Sequence, residues 1–302
     1  MVQGALVVWL LAATLLMSAA PASAGPDASK DLQCEAEATI IDRRICYERG
    51  LRRNAYAFIP YKPSYFVYSH TDTVNRAPFG TDGGGLENHE VKFQFSFKTR
   101  IWSFGPSRLN SLYFGYTQKS WWQMINWDQS APFRESNYEP EFFLLFPTDG
   151  DDSLGMRLRF IQLGLAHHQS NGQSGPRSRS WNRSYVQFIF ERGHLYASVK
   201  PWIRWHEGAA SDDNPHIENY MGDGEVIVLY TRHDGWRLSL KATPNVDSDM
   251  RIGVELGVSR PFGDSTNIRW YVQYYDGYGE SLIDYDHYTR RVGAGIMLFD
   301  WL

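Results

Sequence analysis

The chain has 302 residues and a formal net charge of −4, with 15% aromatic residues, 11 Trp and 18 Tyr among them. The mild acidity and the lack of any Lys/Arg run exclude a nucleic-acid binder. So many aromatics in a chain whose mean hydropathy is −0.43 suit a fold in which apolar and polar side chains alternate.

Ala5 to Met17 is almost wholly apolar and is followed by Ala22-Ser23-Ala24, a small-x-small cleavage site. Residues 1–24 therefore read as a secretory signal peptide. The run is too short for a membrane anchor, although Met1 to Gly4 lacks the usual Lys or Arg. No later stretch reaches the roughly 18 apolar residues of a spanning helix. Residues 25–63 are expected to form a periplasmic N-terminal segment holding the only cysteines, Cys34 and Cys46. In an oxidising compartment these two are expected to pair and close a small loop; two free thiols are the alternative.

From residue 64 onward the pattern is strands. Twelve segments alternate apolar and polar residues: 64–70, 90–102, 111–122, 137–147, 156–168, 181–191, 195–206, 220–231, 236–244, 251–260, 267–277 and 288–301. Long connections at 71–89, 123–136, 169–180, 207–219, 245–250 and 278–287 alternate with short ones such as Arg192-Gly193-His194 and His233-Asp234-Gly235. Lipid offers no hydrogen bonds, so a spanning sheet must close on itself and turn alternate side chains outward. An even strand count, alternating loop lengths and a signal peptide predict an all-β fold. It is a twelve-stranded antiparallel transmembrane β-barrel over residues 64–302, in the outer membrane of a Gram-negative bacterium. A soluble sandwich or lipocalin-like barrel would have shorter strands and less regular loops. Trp121-Trp122, Trp202 with Trp205, and Tyr274-Tyr275 suit interfacial aromatic girdles.

The candidate site lies in residues 168–182, at the long-loop rim. His168 and Ser170 are two apart, so in a strand they share a face, placing a hydroxyl beside an imidazole. Asn182 opens the next strand and can return beside His168, as the third group of a hydrolase triad. Asn182 has the parity of Val186, Phe188 and Phe190, and so is expected to face lipid; Ile189 is the exception to that strand's alternation. The apolar positions of 156–168 are odd-numbered (Ile161, Leu163, Leu165), whereas His168 and Ser170 are even. A β-bulge between Gly164 and His168 would bring His168 to the lipid face. His167 is the rival base, but it is not aligned with Ser170. A polar triad facing lipid is useful where the substrate is the lipid itself.

Several stretches resemble the outer membrane phospholipase A family. They are Tyr116 to Gln123 (YTQKSWWQ), Pro132 to Glu135 (PFRE), Asn137 to Pro140 (NYEP), the 168–182 stretch, Lys200-Pro201-Trp202, Asp212-Asp213-Asn214-Pro215 and Gly277 to Tyr285 (GYGESLIDY). The resemblance covers roughly residues 60–302. It implies a barrel that hydrolyses acyl esters of outer-leaflet phospholipids, with phospholipase A1/A2 and lysophospholipase activity, dependent on Ca2+ and active as a homodimer. By position it implies Ser170 as nucleophile, His168 as general base and Asn182 as orienter. It implies calcium ligands at Ser178, Gln173 (backbone carbonyl) and Asp213, with Ser130 supplied across a dimer interface that also holds Gln118. The family usually has arginine where Gln173 stands. Gly175 replaces a family aspartate, which counts against a secondary calcium site. Leu302 stands where such barrels often end in an aromatic.

The competing function is a non-enzymatic pore or structural barrel, which has no use for His168, Ser170 and Asn182 at one rim. A lipid A deacylase with a similar His-Ser pair would normally need fewer strands.

Overall fold

The computed structural model describes residues 39–51, 57–80, 85–105, 110–148, 150, 155–208, 212–246, 251–263 and 268–300. The signal-peptide region and Cys34 lie outside the described residues. Among those described, no helix is long and apolar enough to cross a membrane.

The elements in chain order are α1 (Ile40–Gly50), a two-residue β1 (Ile59–Pro60), β2 (Ser64–Thr71), β3 (His89–Phe104), β4 (Asn110–Trp122), β5 (Phe133–Pro147), β6 (Arg157–Ser170), β7 (Ser180–Arg192), β8 (Leu195–Trp205), α2 (Glu218–Met221), β9 (Gly224–Thr231), β10 (Arg237–Thr243), β11 (Gly253–Pro261), β12 (Arg269–Gly277) and β13 (Thr289–Phe299). Each strand from β3 to β13 pairs antiparallel with its predecessor, and β13 returns to β2. The twelve strands β2–β13 thus form a closed barrel with no free edge, as the alternation and loop lengths required. β1 adds a short pairing on β3.

The sequence expectation of a strand over 220–231 is corrected at its start. Glu218–Met221 is a helical turn ended by Gly222 at φ 77, and the strand begins at Gly224. The aromatic pairs also differ from the girdle expectation. Adjacent strand residues point to opposite faces, so only one of each pair reaches lipid. Trp122, Trp205 and Tyr274 face outward, whereas Trp121 and Tyr275 are buried in the lumen and Trp202 packs edge-on against buried Trp181.

The lumen is polar and charged. An ion-pair chain runs from Lys92 to Glu280 (2.9 Å), Arg291 (2.9 Å), Glu90 (2.9 Å), Arg134 (2.6 Å) and Asp284 (2.5 Å). Glu280 and Asp284 belong to the 278–288 loop, which therefore folds inward over the long-loop end. Burial pushes the Glu280 carboxyl up, but Arg291 and Lys92 outweigh it and hold the group down to about 2. Buried charges are tolerated only when paired in this way.

The opposite, short-turn end faces the periplasm in bacterial barrels. It receives α1, so the N-terminal segment is partly internal. Ile41 packs with Tyr196, Ile227 and Leu229 of the inner wall, and Ile45, Phe160 and Ile189 close around them. Ile189 breaks its strand's alternation because it meets this helix rather than water. Polar contacts fix the docking: Asp42 pairs with Arg159, the Ile41 N–H donates to Glu191 (3.2 Å), and Lys98 pairs with Glu48 (2.9 Å).

Candidate active site

β6 carries a bulge that decides the site. Its register against β7 shifts between Gly164 and His167, and against β5 between Phe142 and Phe143. Before the bulge, Gln162 and Gly164 face the lumen; after it, His167 and Gln169 do. The extra residue reverses parity, so His168 and Ser170 emerge on the same outward face as Ile161 and Leu163. Gly164 permits the inner packing, since a Cβ there would sit 2.1 Å from the Tyr185 ring.

His168 is the direct cross-strand partner of Asn182 on β7. Its Nδ1 lies 2.9 Å from Asn182 Oδ1. An amide oxygen only accepts, so Nδ1 carries a proton, and in the neutral ring the lone pair is left on Nε2. β6 extends to Ser170, two residues beyond the expected end at 168, so the serine sits on the strand itself, opposite Ser180 and beside Tyr138 of β5. Ser170 Oγ accepts from the Gly172 N–H at 3.1 Å, and no hydrogen bond joins it to His168 in this state. Its own hydrogen stays available to donate. Gly172 makes that turn at φ 64, where a Cβ would also press on the Tyr138 ring at 3.2 Å.

His167 does not share the face of Ser170. It is 3% exposed, points into the lumen 3.6 Å from Glu139, and lies edge-on to Tyr185.

The inward neighbours hold the outward residues still. Trp181 Nε1 donates to Gln169 Oε1 (2.9 Å), Arg183 donates to the same oxygen (3.0 Å), and the guanidinium lies 3.7 Å from the Trp181 ring centroid. A desolvated cation–π contact of this kind is worth on the order of 2 kcal/mol. Asn171 donates to the Arg177 carbonyl (2.8 Å) and to Glu135 (3.4 Å), while Glu135 also accepts from the Ile283 N–H (3.1 Å). The loop after Ser170 is thereby tied to the inward-folded 278–288 loop.

Of the expected calcium ligands, the structure brings two into contact. Ser178 Oγ donates to Asp213 at 2.5 Å. The Asp213 segment is docked by its neighbours: Asp212 accepts twice from Arg204 (2.7 Å each), and Asn214 accepts from the Ser180 N–H (3.0 Å). Gln173 lies in the same loop as Ser178, its N–H bonded to Asn171 (3.2 Å). Ser130 is exposed in the β4–β5 loop at φ 59, and among the described residues no hydrogen bond joins it to Ser178 or Asp213. Gln118 faces outward, directly opposite Tyr138, which is itself opposite Ser170. A hydroxyl and a carboxylate gathered at the rim are hard oxygen donors of the kind calcium takes.

One contact was missed from the sequence. Asn182 Nδ2 donates to Glu207 Oε1 at 3.2 Å. The hairpin register carried the signal: Arg192 pairs with Leu195, which sets Asn182 opposite Trp205 and puts Glu207 two residues beyond it.

The Phospholipase A1 family model matches residues 41–298. The chain belongs to the phospholipase A1 family. Phospholipase A1 of Escherichia coli K12 is 41% identical over 251 residues, covering 82% of this chain and 83% of the relative. The solved outer membrane phospholipase A of E. coli superposes with a TM-score of 0.76 at 41% identity, over 82% of this chain and 94% of that one. A variant of it described as an active-site mutant, with alanine in place of an asparagine, superposes equally well at 40% identity and the same coverage. A Salmonella typhi outer membrane phospholipase, solved as a dimer with bound calcium, also gives 0.76, at 39% identity and 82% coverage of this chain. The protein is therefore a phospholipid ester hydrolase and an outer-membrane β-barrel.

Proposed function

We propose that Ser170, His168 and Asn182 carry this phospholipase A1 family member's ester hydrolysis, and that the substrate is an outer-leaflet phospholipid reached from the barrel's outside wall. The observation that carries the reading is the 2.9 Å contact between His168 and Asn182 on the lipid-facing side, one alternation from Ser170. Ser170 Oγ attacks the ester carbonyl while its proton passes to His168 Nε2. The tetrahedral intermediate collapses, the C–O bond to the glycerol breaks, and His168 returns the proton to the departing alkoxide. Water, deprotonated by the same imidazole, then cleaves the acyl-serine. Asn182 holds Nδ1–H throughout and fixes the orientation of the imidazole. The E. coli enzyme's active-site asparagine variant supports this role for Asn182.

Ser178, Asp213 and the Gln173 carbonyl are proposed to hold calcium together with Ser130 from a second copy of the chain. The bound ion supplies Lewis-acid stabilisation of negative charge on the carbonyl oxygen. Ser130 is exposed on its loop, which fits a ligand offered to a neighbour. The outward Gln118, in a row of cross-strand partners with Tyr138 and Ser170, supports dimerisation through this wall. The calcium-bound dimer of the Salmonella relative supports both points.

Fatty-acid release by the purified full chain in detergent, with and without a calcium chelator, tests the reading. Ser170→Ala is expected to lower kcat by about 10⁴–10⁶-fold, and wild-type activity in that variant would overturn it.

A further inference from the structure

We propose that Glu207 is a positioning residue of the catalytic apparatus: its carboxylate sets which end of the Asn182 side chain faces His168. The proposal rests on the triad reading above and goes beyond it.

The argument begins with the symmetry of an amide. The Asn182 carboxamide has an accepting oxygen and a donating nitrogen at nearly the same positions, and a half-turn exchanges them. With the oxygen toward His168, Nδ1 must carry the proton and Nε2 is free to take one from Ser170. With the nitrogen toward His168, Nδ1 becomes the acceptor, the proton moves to Nε2, and the base is lost. A carboxylate in this place would need no such choice, because both its oxygens accept. An asparagine does.

Glu207 makes the choice. It leaves the end of β8, half-buried, and its Oε1 lies 3.2 Å from Asn182 Nδ2. A carboxylate can only accept, so the amide nitrogen is drawn to it and Oδ1 is left for His168, at 2.9 Å. The same contact places a negative charge one residue removed from the imidazole. That charge compensates for the neutrality of Asn182 when the imidazolium forms. The adjacent His206 is turned elsewhere, 3.9 Å from Glu218. Next to this pair, Ser184 Oγ donates to the Leu165 carbonyl (3.1 Å) and accepts from Trp205 Nε1 (3.0 Å), which fixes the end of β8 from which Glu207 projects.

Steady-state kinetics on a defined phospholipid in mixed micelles, at saturating calcium, separates this role from a structural one. Glu207→Ala is expected to lower kcat about tenfold with KM unchanged, and Glu207→Gln, a neutral amide that can present either end to Asn182, to recover only part of the loss. The effect must pass through Asn182. In an Asn182→Ala background, Glu207→Ala is expected to cost nothing further, and in an Asn182→Asp background its removal is expected to be neutral or beneficial. Equal losses in the wild-type and Asn182→Ala backgrounds, an unchanged kcat in Glu207→Ala, or a change confined to KM would each overturn the proposal. Far-UV circular dichroism checks that every variant keeps the barrel. If Ser170→Ala retained activity the underlying triad would fail; if Ser170→Ala and Asn182→Ala were impaired while Glu207→Ala was not, the role of Glu207 alone would fail.

Discussion

His167 and His168 are consecutive residues on opposite sides of one membrane wall: His167 Nε2 lies 3.6 Å from Glu139 inside the lumen, and His168 Nδ1 lies 2.9 Å from Asn182 outside it. This separates two substitutions that the sequence leaves side by side. His168→Ala removes the proposed base and is expected to abolish fatty-acid release, with a loss on the order of 10⁴-fold or more in kcat. His167→Ala removes a lumen group and is expected to lower stability while leaving kcat within about threefold of wild type. Steady-state assay of both variants checks this, and the opposite ranking would sink the assignment of the base.

The bulge that sorts the two histidines depends on Gly164. A methyl there meets the Tyr185 ring at 2.1 Å, and that ring is held by hydrogen bonds from its hydroxyl to Glu141 (2.5 Å) and from Gln162 (2.6 Å). Gly164→Ala must displace the ring and is expected to cost about 1–3 kcal/mol of stability. Activity should fall as well, because the strand leading to His168 shifts. Denaturant unfolding in detergent reads the first effect and fatty-acid release the second. A variant as stable and as active as wild type would mean the bulge does not depend on this packing.

The barrel was legible because lipid on one side and polar residues on the other impose a period of two that survives in the sequence. The bulge was legible for the same reason: odd apolar positions followed by an even His168 and Ser170 demand a change of parity. The helical turn at Glu218–Met221 was missed because its apolar residues, Tyr220 and Met221, run on into the strand pattern of Val226 and Val228. Helical character was legible between Glu35 and Ile45, but the inward docking of α1 was missed because two residues, Ile41 and Ile45, make its apolar contact, and the wall that receives them shows only as one irregular residue, Ile189. Glu207 was missed because its meaning lies in the β7–β8 register and not in any local motif.

That inward helix predicts a closed lumen. Burial pushes the Glu48 carboxyl up, but Lys98 and Arg44 outweigh burial and hold it down to about 2, against an ordinary value of 4.5. A depressed carboxylate stabilises the docked helix fully above its ordinary value and loses that contribution as pH falls toward the depressed one. The Asp42 carboxyl is also lowered: burial opposes the shift, but hydrogen bonds from Arg159 and Thr39 prevail. Planar-bilayer recordings are therefore expected to show no steady conductance at neutral pH and openings below about pH 4. Glu48→Gln, which removes the charge facing Lys98 while leaving the contacts of Asp42 and Ile41, should raise the pH at which openings begin. Steady conductance of the wild-type chain at neutral pH would show that α1 does not seal the lumen.

Asp213 offers a test of the metal that is independent of the triad. Its carboxylate accepts from Ser178 Oγ, and its segment is held by Asp212 on Arg204 and by Asn214 on the Ser180 N–H, so removing the carboxylate alone leaves the loop docked. Asp213→Ala is expected to raise the calcium concentration needed for half-maximal activity about 10–100-fold, with kcat largely restored at saturating calcium. Removing an oxygen donor weakens binding of a hard cation without touching Ser170 or His168. Ser178→Ala should act in the same direction, and Ser130→Ala should do so only under conditions in which two copies associate. Calcium titrations of activity, paired with analytical ultracentrifugation at each calcium concentration, read both effects. An unchanged calcium requirement in Asp213→Ala would place the ion elsewhere and leave the Ser178–Asp213 contact as a purely structural clasp between the two loops.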